Sequence, residues 1–337
     1  MTIATQAPAS LLEDVAAAAA DIDAAVTTPR GHLSELGAAG LLDLDVRGSA
    51  QLISELAGEC MSTGFSVWAH RMVIEYLRRG LPTEPNLSLL TDVAAGRRVG
   101  STAMASGLKW LAGIGDVTVT ATPIGGGWAL SGFIPWASNL FDDGVVVLPA
   151  TTPDGTIVVW VPAADLSVKP VTGLLALNAT ASGNIRLDDV IAPDEQLISD
   201  DLRSFASGFR PTFLVLQTAF CVGLIRRALA EAEASLDRAE NSAFAPTVAE
   251  LIELADEHRA RWEVLVADLD RPVAEYLRLR LDAALLAAEA TRLESTLAGG
   301  RGYQATSGSS RRFREAAFLP VQSPSEGQLR WELSSLA

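Results

Sequence analysis

Helical, then strand-rich, then helical again: the 337-residue sequence changes its hydrophobic period twice, which predicts an α+β protein of three regions. Apolar residues recur every third or fourth position from about 11 to 96. Short alternating runs rich in Val, Thr and Ile fill about 97 to 197, and helical spacing returns from 202 to the end. The expected organisation is an N-terminal helical domain over 1–96, a middle β-barrel or sandwich domain over 97–200, and a C-terminal four-helix bundle over 201–337.

In the first region, the Ala-rich block 16–20 is flanked by Glu13, Asp14, Asp21 and Asp23. That pattern is an amphipathic helix rather than a membrane span or signal. Met1-Thr2-Ile3-Ala4 has no basic start, so a cytoplasmic protein is expected. Gly31, Gly40 and Gly48 punctuate the stretch, and Leu81-Pro82-Thr83-Glu84-Pro85 breaks it. The clearest strands are 116–122, 128–133, 144–150, 156–161 and 183–187, with turns such as Pro153-Asp154-Gly155 between them. The last region predicts a long helix over 205–240 and a second capped by Thr247, with Glu250 completing a capping box. A third runs from Pro272 to the Gly299-Gly300 stop, and a short last helix follows Pro324-Ser325-Glu326.

Composition removes several functions. A net charge of −15 is unsuited to nucleic acid or to an anionic membrane surface. No uninterrupted apolar run approaches the length of a membrane span. Cys60 and Cys221 are too few for a disulfide framework or zinc site, and His32, His70 and His258 are too scattered for a metal cluster. No metal is expected.

One stretch carries chemistry. Residues 127–139 read Gly-Trp-Ala-Leu-Ser-Gly-Phe-Ile-Pro-Trp-Ala-Ser-Asn: a strand, a turn at Ser131-Gly132, and a second strand. This resembles the flavin-contacting G-x-x-x-x-x-G-x-K-x-W-I-[ST]-N strand of the acyl-CoA dehydrogenase superfamily. Four further segments follow the family's order. Residues 33–42 are similar to L-x-E-L-G-x-x-G-L, and 185–193 to V-x-F-D-D-V-x-V-P. Residues 299–303 match G-G-x-G-[FY], and 311–316 the R-x-x-R-D-A helix.

The resemblance implies FAD as cofactor, with Trp136 packed on the isoalloxazine and the Ser138 hydroxyl at flavin N5. It places Ser106 at the pyrimidine, although the family's T-E-P-x-A-G-S-D segment is reduced to Ala103-Met104-Ala105-Ser106-Gly107. It places Gly299 and Gly300 against the adenosine half of a neighbouring subunit's FAD, and Arg210 near the substrate pocket.

Three of the family's functional groups are missing. The catalytic Glu, which takes the α-proton of the thioester, aligns with Ser323. The alternative base position, just before Arg210-Pro211, is Phe209. The Arg that reaches a partner's pyrophosphate is Asn241, and the adenine-side Gln is Thr296. Two substitutes remain as candidate bases: Glu326, if three residues are inserted, and His70, on a helix that lines the acyl pocket in the family. Each has a plainer reading, Glu326 as a carboxylate at a helix start and His70 as a buried structural ring.

The implied function is an FAD-dependent oxidoreductase acting on an acyl-CoA thioester by α,β-dehydrogenation, with an electron-transfer flavoprotein as oxidant. The alternatives are a flavin monooxygenase on the same fold, fed by a flavin reductase, or a catalytically incomplete subunit paired with a homologue. A homo-oligomer or hetero-oligomer is expected in either case.

Overall fold

The computed structural model describes residues 7–336. Five helices come first: α1 (Ala9–Asp23), α2 (Arg30–Ala38), α3 (Val46–Glu59), α4 (Met61–Arg79) and α5 (Glu84–Ala94). The strands are β1 (Val99–Thr102), β2 (Val119–Ile124), β3 (Gly127–Ala137), β4 (Gly144–Thr152), β5 (Gly155–Pro162), β6 (Ser167–Pro170), β7 (Gly183–Pro193) and β8 (Leu197–Ser199). One short helix, α6 (Ala105–Leu111), interrupts them. The chain closes with α7 (Leu202–Ala234), α8 (Ala245–Ala267), α9 (Val273–Ala298), α10 (Gly308–Ala316) and α11 (Glu326–Ser335).

The strands form a single eight-stranded sheet in the order β6-β7-β3-β2-β4-β5-β8, with β1 running parallel beside β4. The β4 run Val-Val-Val-Leu-Pro-Ala is buried along its length, which is why it reads as continuously apolar rather than alternating. Two cores result. Val119, Leu130, Val146, Val159 and Ile185 fill the core within the sheet. A larger one joins α3, α4, α7 and α9 and includes Val145 and Val147 from the other side of β4.

Helix ends follow local chemistry. Asp45 caps α3 by accepting from Gly48 N at 2.7 Å, Asp201 caps α7, and Ser325 caps α11 by accepting from Gln328 N. The α9 helix stops at Gly299, whose φ of +62° is open to glycine. Helix α7 has length and composition enough to cross a membrane, but 83% of its most apolar window is buried in protein.

Several expectations need correcting. Residues 127–137 form one strand rather than two joined by a turn: Gly132 (φ +152°) absorbs an irregularity in the β3–β7 register. A side chain there would meet Thr118 O at 2.3 Å. Thr247 lies inside the first turn of α8 and caps nothing, because the helix begins at Ala245 with Pro246 in its first turn. Gly31 and Gly48 fall within α2 and α3, leaving Gly40 (φ +70°) as a true break. The α7 helix ends at Ala234, and short 3-10 turns take the chain over 235–237 and 239–244.

Candidate functional site

The end of β3 is anchored by a buried asparagine. Asn139 (φ +61°) donates Nδ2 to Ser66 O of α4 at 2.8 Å and to Gly100 O of β1 at 3.1 Å. Its own N–H donates to Thr180 O. The Ser101 hydroxyl donates to Ser138 O at 2.6 Å. This clasp holds the strand end against α4 while Trp136 is left 55% exposed. An indole presented outward from a fixed strand end is available to stack on a planar ring.

Ser138 belongs to a row of hydroxyls. Its Oγ lies 2.7 Å from Ser182 Oγ, which lies 2.9 Å from Thr180 Oγ1. Thr180 in turn donates to Leu177 O at 2.8 Å. Thr180 is buried, whereas Ser138 and Ser182 are half-buried.

Behind Ser66, aromatic rings fill the space between α4 and α7. Trp68 sits 5.1 Å from Phe213 and 5.9 Å from Phe220, and Phe65 sits 5.2 Å from Phe318 (centroid distances). The same helices carry buried polar atoms without hydrogen-bond partners among the described residues: Thr63 Oγ1, Ser66 Oγ and Trp68 Nε1 on α4, and Thr212 Oγ1 on α7. Asn139 Oδ1 and Ser323 Oγ are in the same condition. Such atoms cost about 1–3 kcal/mol each unless a ligand or water satisfies them. A groove of about 300 Å³ lies elsewhere, between α7 and α8, lined by Ile225, Leu229, Ile252 and His258 among others.

None of the positions expected to hold a base presents a free one. His70 is fully buried, with both ring nitrogens spent on backbone: Nε2 donates to Val93 O at 2.9 Å and Nδ1 accepts from Gly100 N at 3.0 Å. Burial pushes its pKa down to about 4. The ring therefore joins α4, α5 and β1, with neither nitrogen left free to take a substrate proton. Glu326 occupies the first turn of α11, where it accepts from Arg330 Nε at 2.8 Å one turn on. That is the helix-start reading, a solvent-facing i,i+4 pair. Phe209 is fully buried against Tyr76, Phe205 and Phe213. Arg210 is ion-paired with Glu332 of α11.

Ser323 is tied to the bundle through its carbonyl, which accepts from Gln217 Nε2 at 2.8 Å. Gln217 Oε1 accepts from Arg280 Nε, and Arg280 also donates to Leu319 O and Gln322 Oε1. Arg280 is wholly buried and, among the described residues, has no carboxylate partner, a feature that sequence reasoning did not find. Its signal in the sequence was weak, because Arg278 and Arg280 alternate with leucines across Leu277–Leu281 and nothing there separates the buried arginine from the other.

Ser106, expected at the flavin pyrimidine, lies in the first turn of α6, a helix the sequence reading did not anticipate. Asn241 is buried and donates Nδ2 to Ser235 O and Leu297 O at 2.8 and 3.0 Å. Thr296 donates back to Arg292 O in its own helix. Gly299 and Gly300 have open space where a Cβ would project. One cation was missed: Arg238, three residues before Asn241, donates Nη1 to Leu297 O at 3.2 Å beside the Gly-Gly turn. Among the described residues it has no acidic partner. No cluster of three or more His, Cys, Asp or Glu suited to a metal occurs among the described residues.

The fold is that of the acyl-CoA dehydrogenases. Butyryl-CoA dehydrogenase from Megasphaera elsdenii superimposes with a TM-score of 0.84 at 14% identity, covering 97% of this chain and 96% of that one. A glutaryl-CoA dehydrogenase from Mycobacterium smegmatis in complex with FADH2 gives 0.82 at 17% identity, covering 98% and 95%. FkbI, for biosynthesis of the methoxymalonyl extender unit of Fk520, gives 0.83 at 19% identity, covering 97% and 98%. No protein-family model matches the chain, and no curated protein matches it by sequence.

Proposed function

We propose that this chain is an FAD-dependent oxidoreductase that works without abstracting an α-proton, as a flavin monooxygenase on the acyl-CoA dehydrogenase fold. One observation carries the reading: Ser323 and Phe209 stand where the two alternative bases would be, and His70 and Glu326 are both engaged elsewhere. Dehydrogenation of a thioester needs a carboxylate or equivalent near the α-carbon. Oxygen transfer from a reduced flavin does not.

The isoalloxazine end suits a flavin. Trp136 offers a ring face, Ser138 a hydroxyl, and Asn139 Oδ1 and Ser66 Oγ are buried polar atoms without partners. When bound, the cofactor supplies two electrons and a site for dioxygen. The protein's part is to hold the ring, exclude bulk water and shape the approach. The packing of Phe65, Trp68, Phe213 and Phe318 favours a short acyl thioester or similarly small substrate over a long acyl chain. In this reading a separate flavin reductase provides reducing equivalents.

A second reading keeps the acyl-CoA dehydrogenation and assigns it to a homologous partner. It is favoured by Asn241, which stands in for the phosphate-binding Arg and is committed to two backbone carbonyls. A heteromeric assembly would then draw its base and its guanidinium from the other subunit.

The test starts from the visible spectrum of protein purified alone, before and after adding FAD. A flavin band near one per chain is expected. Anaerobic mixing with short acyl-CoAs should leave the band unbleached, and the photoreduced protein should consume oxygen and transfer it to substrate. Rapid anaerobic bleaching would replace this reading with dehydrogenation. Absence of any flavin with FAD in excess would direct attention to the partner subunit.

A further inference from the structure

We infer that the hydroxyl row ending at Ser138 is a polarised acceptor that selects a reduced flavin over an oxidised one. The inference rests on the flavin reading above and follows from counting protons. Each Ser or Thr hydroxyl has one proton to give and two lone pairs. Thr180 gives its proton to Leu177 O, a carbonyl that can only accept. In the Thr180–Ser182 contact at 2.9 Å, Thr180 must therefore accept and Ser182 donate. Ser182 has then no proton left, so in the 2.7 Å contact with Ser138 it accepts and Ser138 donates.

The direction is thus set from the buried end outward: Ser138 to Ser182 to Thr180 to Leu177 O. Ser138 reaches the end of β3 with its proton used and only lone pairs free. Its carbonyl, Ser138 O, already accepts from the Ser101 hydroxyl. Asn139 Nδ2 is likewise committed, to Ser66 O and Gly100 O, and what it leaves without a partner is Oδ1, another acceptor. The side chains of Ser138 and Asn139 thus offer lone pairs there and no free proton.

A ligand atom meeting such a surface must be a donor. Oxidised flavin presents N5 as a bare lone pair, which would face another lone pair. Reduced flavin presents N5 as N–H, which completes the row. The preference is a property of these hydroxyls and needs no charged group. It also fits a protein that receives flavin already reduced by another enzyme.

The experiment is a pair of anaerobic titrations of the full chain, one with FAD and one with dithionite-reduced FAD, for the wild type, Ser182→Ala and Thr180→Val. In the wild type the reduced form should bind roughly tenfold more tightly, the worth of one hydrogen bond made rather than opposed. Both variants should bring the ratio toward one. Ser182→Ala removes the acceptor of the Ser138 proton, and Thr180→Val lets Ser182 turn its proton toward Ser138. The two-electron potential of the bound flavin should fall in step, about 30 mV for each tenfold lost in the ratio.

A merely structural role would weaken both redox forms equally and leave the ratio unchanged, which would overturn the inference. Equal binding of the two forms by the wild type, or tighter binding of oxidised FAD, would overturn it while leaving the flavin reading intact. Binding of neither form would remove the flavin reading and this inference with it.

Discussion

The N–H of Gly100 donates to Nδ1 of His70 at 3.0 Å, which fixes the ring as a neutral tautomer whose Nε2–H donates to Val93 O. A proton added to Nδ1 would face that N–H inside the core. Burial accordingly holds the pKa at about 4, below the ordinary 6.5. Between those values the unfolded chain binds more protons than the native one, so stability falls as pH drops from 6.5 toward 4. The full effect is about 3 kcal/mol. Burial lowers the pKa of His258 as well, which adds in the same direction. Urea melts across this window should show His70→Gln less stable than wild type at pH 8 but with a shallower loss on acidification. Parallel profiles would mean that the native ring is not held neutral.

A second buried contact joins α9 to α10. Arg312 donates Nε to Glu294 Oε2 at 2.9 Å and Nη2 to Oε1, with both side chains buried. Removing one member strands the other charge, so Arg312→Met should cost about 3–5 kcal/mol. Replacing both, as Arg312→Met with Glu294→Leu, should recover most of that loss, because the desolvation cost of the pair disappears as well. Chemical denaturation of the two single variants and the double variant checks this. A double variant as unstable as the sum of the singles would show that the two residues act independently.

The three-region order was legible because it depends on period, and period survives in a sequence that has lost most specific motifs. Continuous apolar runs such as Val145–Leu148 announce a buried strand, and Gly299-Gly300 announces a helix end, whatever the chain does. Short edge elements were not legible. Strands β1, β6 and β8 have four, four and three residues, too few for alternation to register. The turn expected at Ser131-Gly132 failed because glycine signals a bulge and a hairpin alike.

Trp136 and Ser138 could be named as candidates from the strand motif, but what their neighbours do with them could not be read there. The partners of Ser138 and His70 come from residues 44 and 30 positions away. Arg238 was missed because nothing in the local sequence marks it. Only folding brings it to the carbonyl of Leu297.

Trp136 separates binding from stability. At 55% exposure it contributes little to the core, so Trp136→Ala should change the unfolding free energy by no more than about 0.5 kcal/mol. If the indole stacks on the flavin, the same change should weaken FAD binding about tenfold. Fluorescence titration against denaturation of the same sample reads both quantities. Unchanged affinity would take Trp136 out of the site, and a large loss of stability would make it part of the core instead.

Arg238 and Asn241 both donate to Leu297 O, at 3.2 and 3.0 Å, yet only one of them keeps donors free for a ligand. Asn241 spends its amide N–H groups on Ser235 O and Leu297 O. Asn241→Arg, which would place an arginine where the sequence resemblance expects one, should therefore lower stability by about 2 kcal/mol and leave FAD affinity no higher. Arg238 spends Nη1 alone, and its remaining donors lie beside a Gly-Gly turn with open space around it. A guanidinium in that position suits a pyrophosphate, to which it can give two parallel bonds. Arg238→Gln should weaken FAD about tenfold while leaving riboflavin, which has no phosphate, unaffected. Equal loss for both ligands would assign Arg238 to the structure around Leu297 rather than to the phosphates. A gain in FAD affinity by Asn241→Arg would instead place the phosphate cation at position 241.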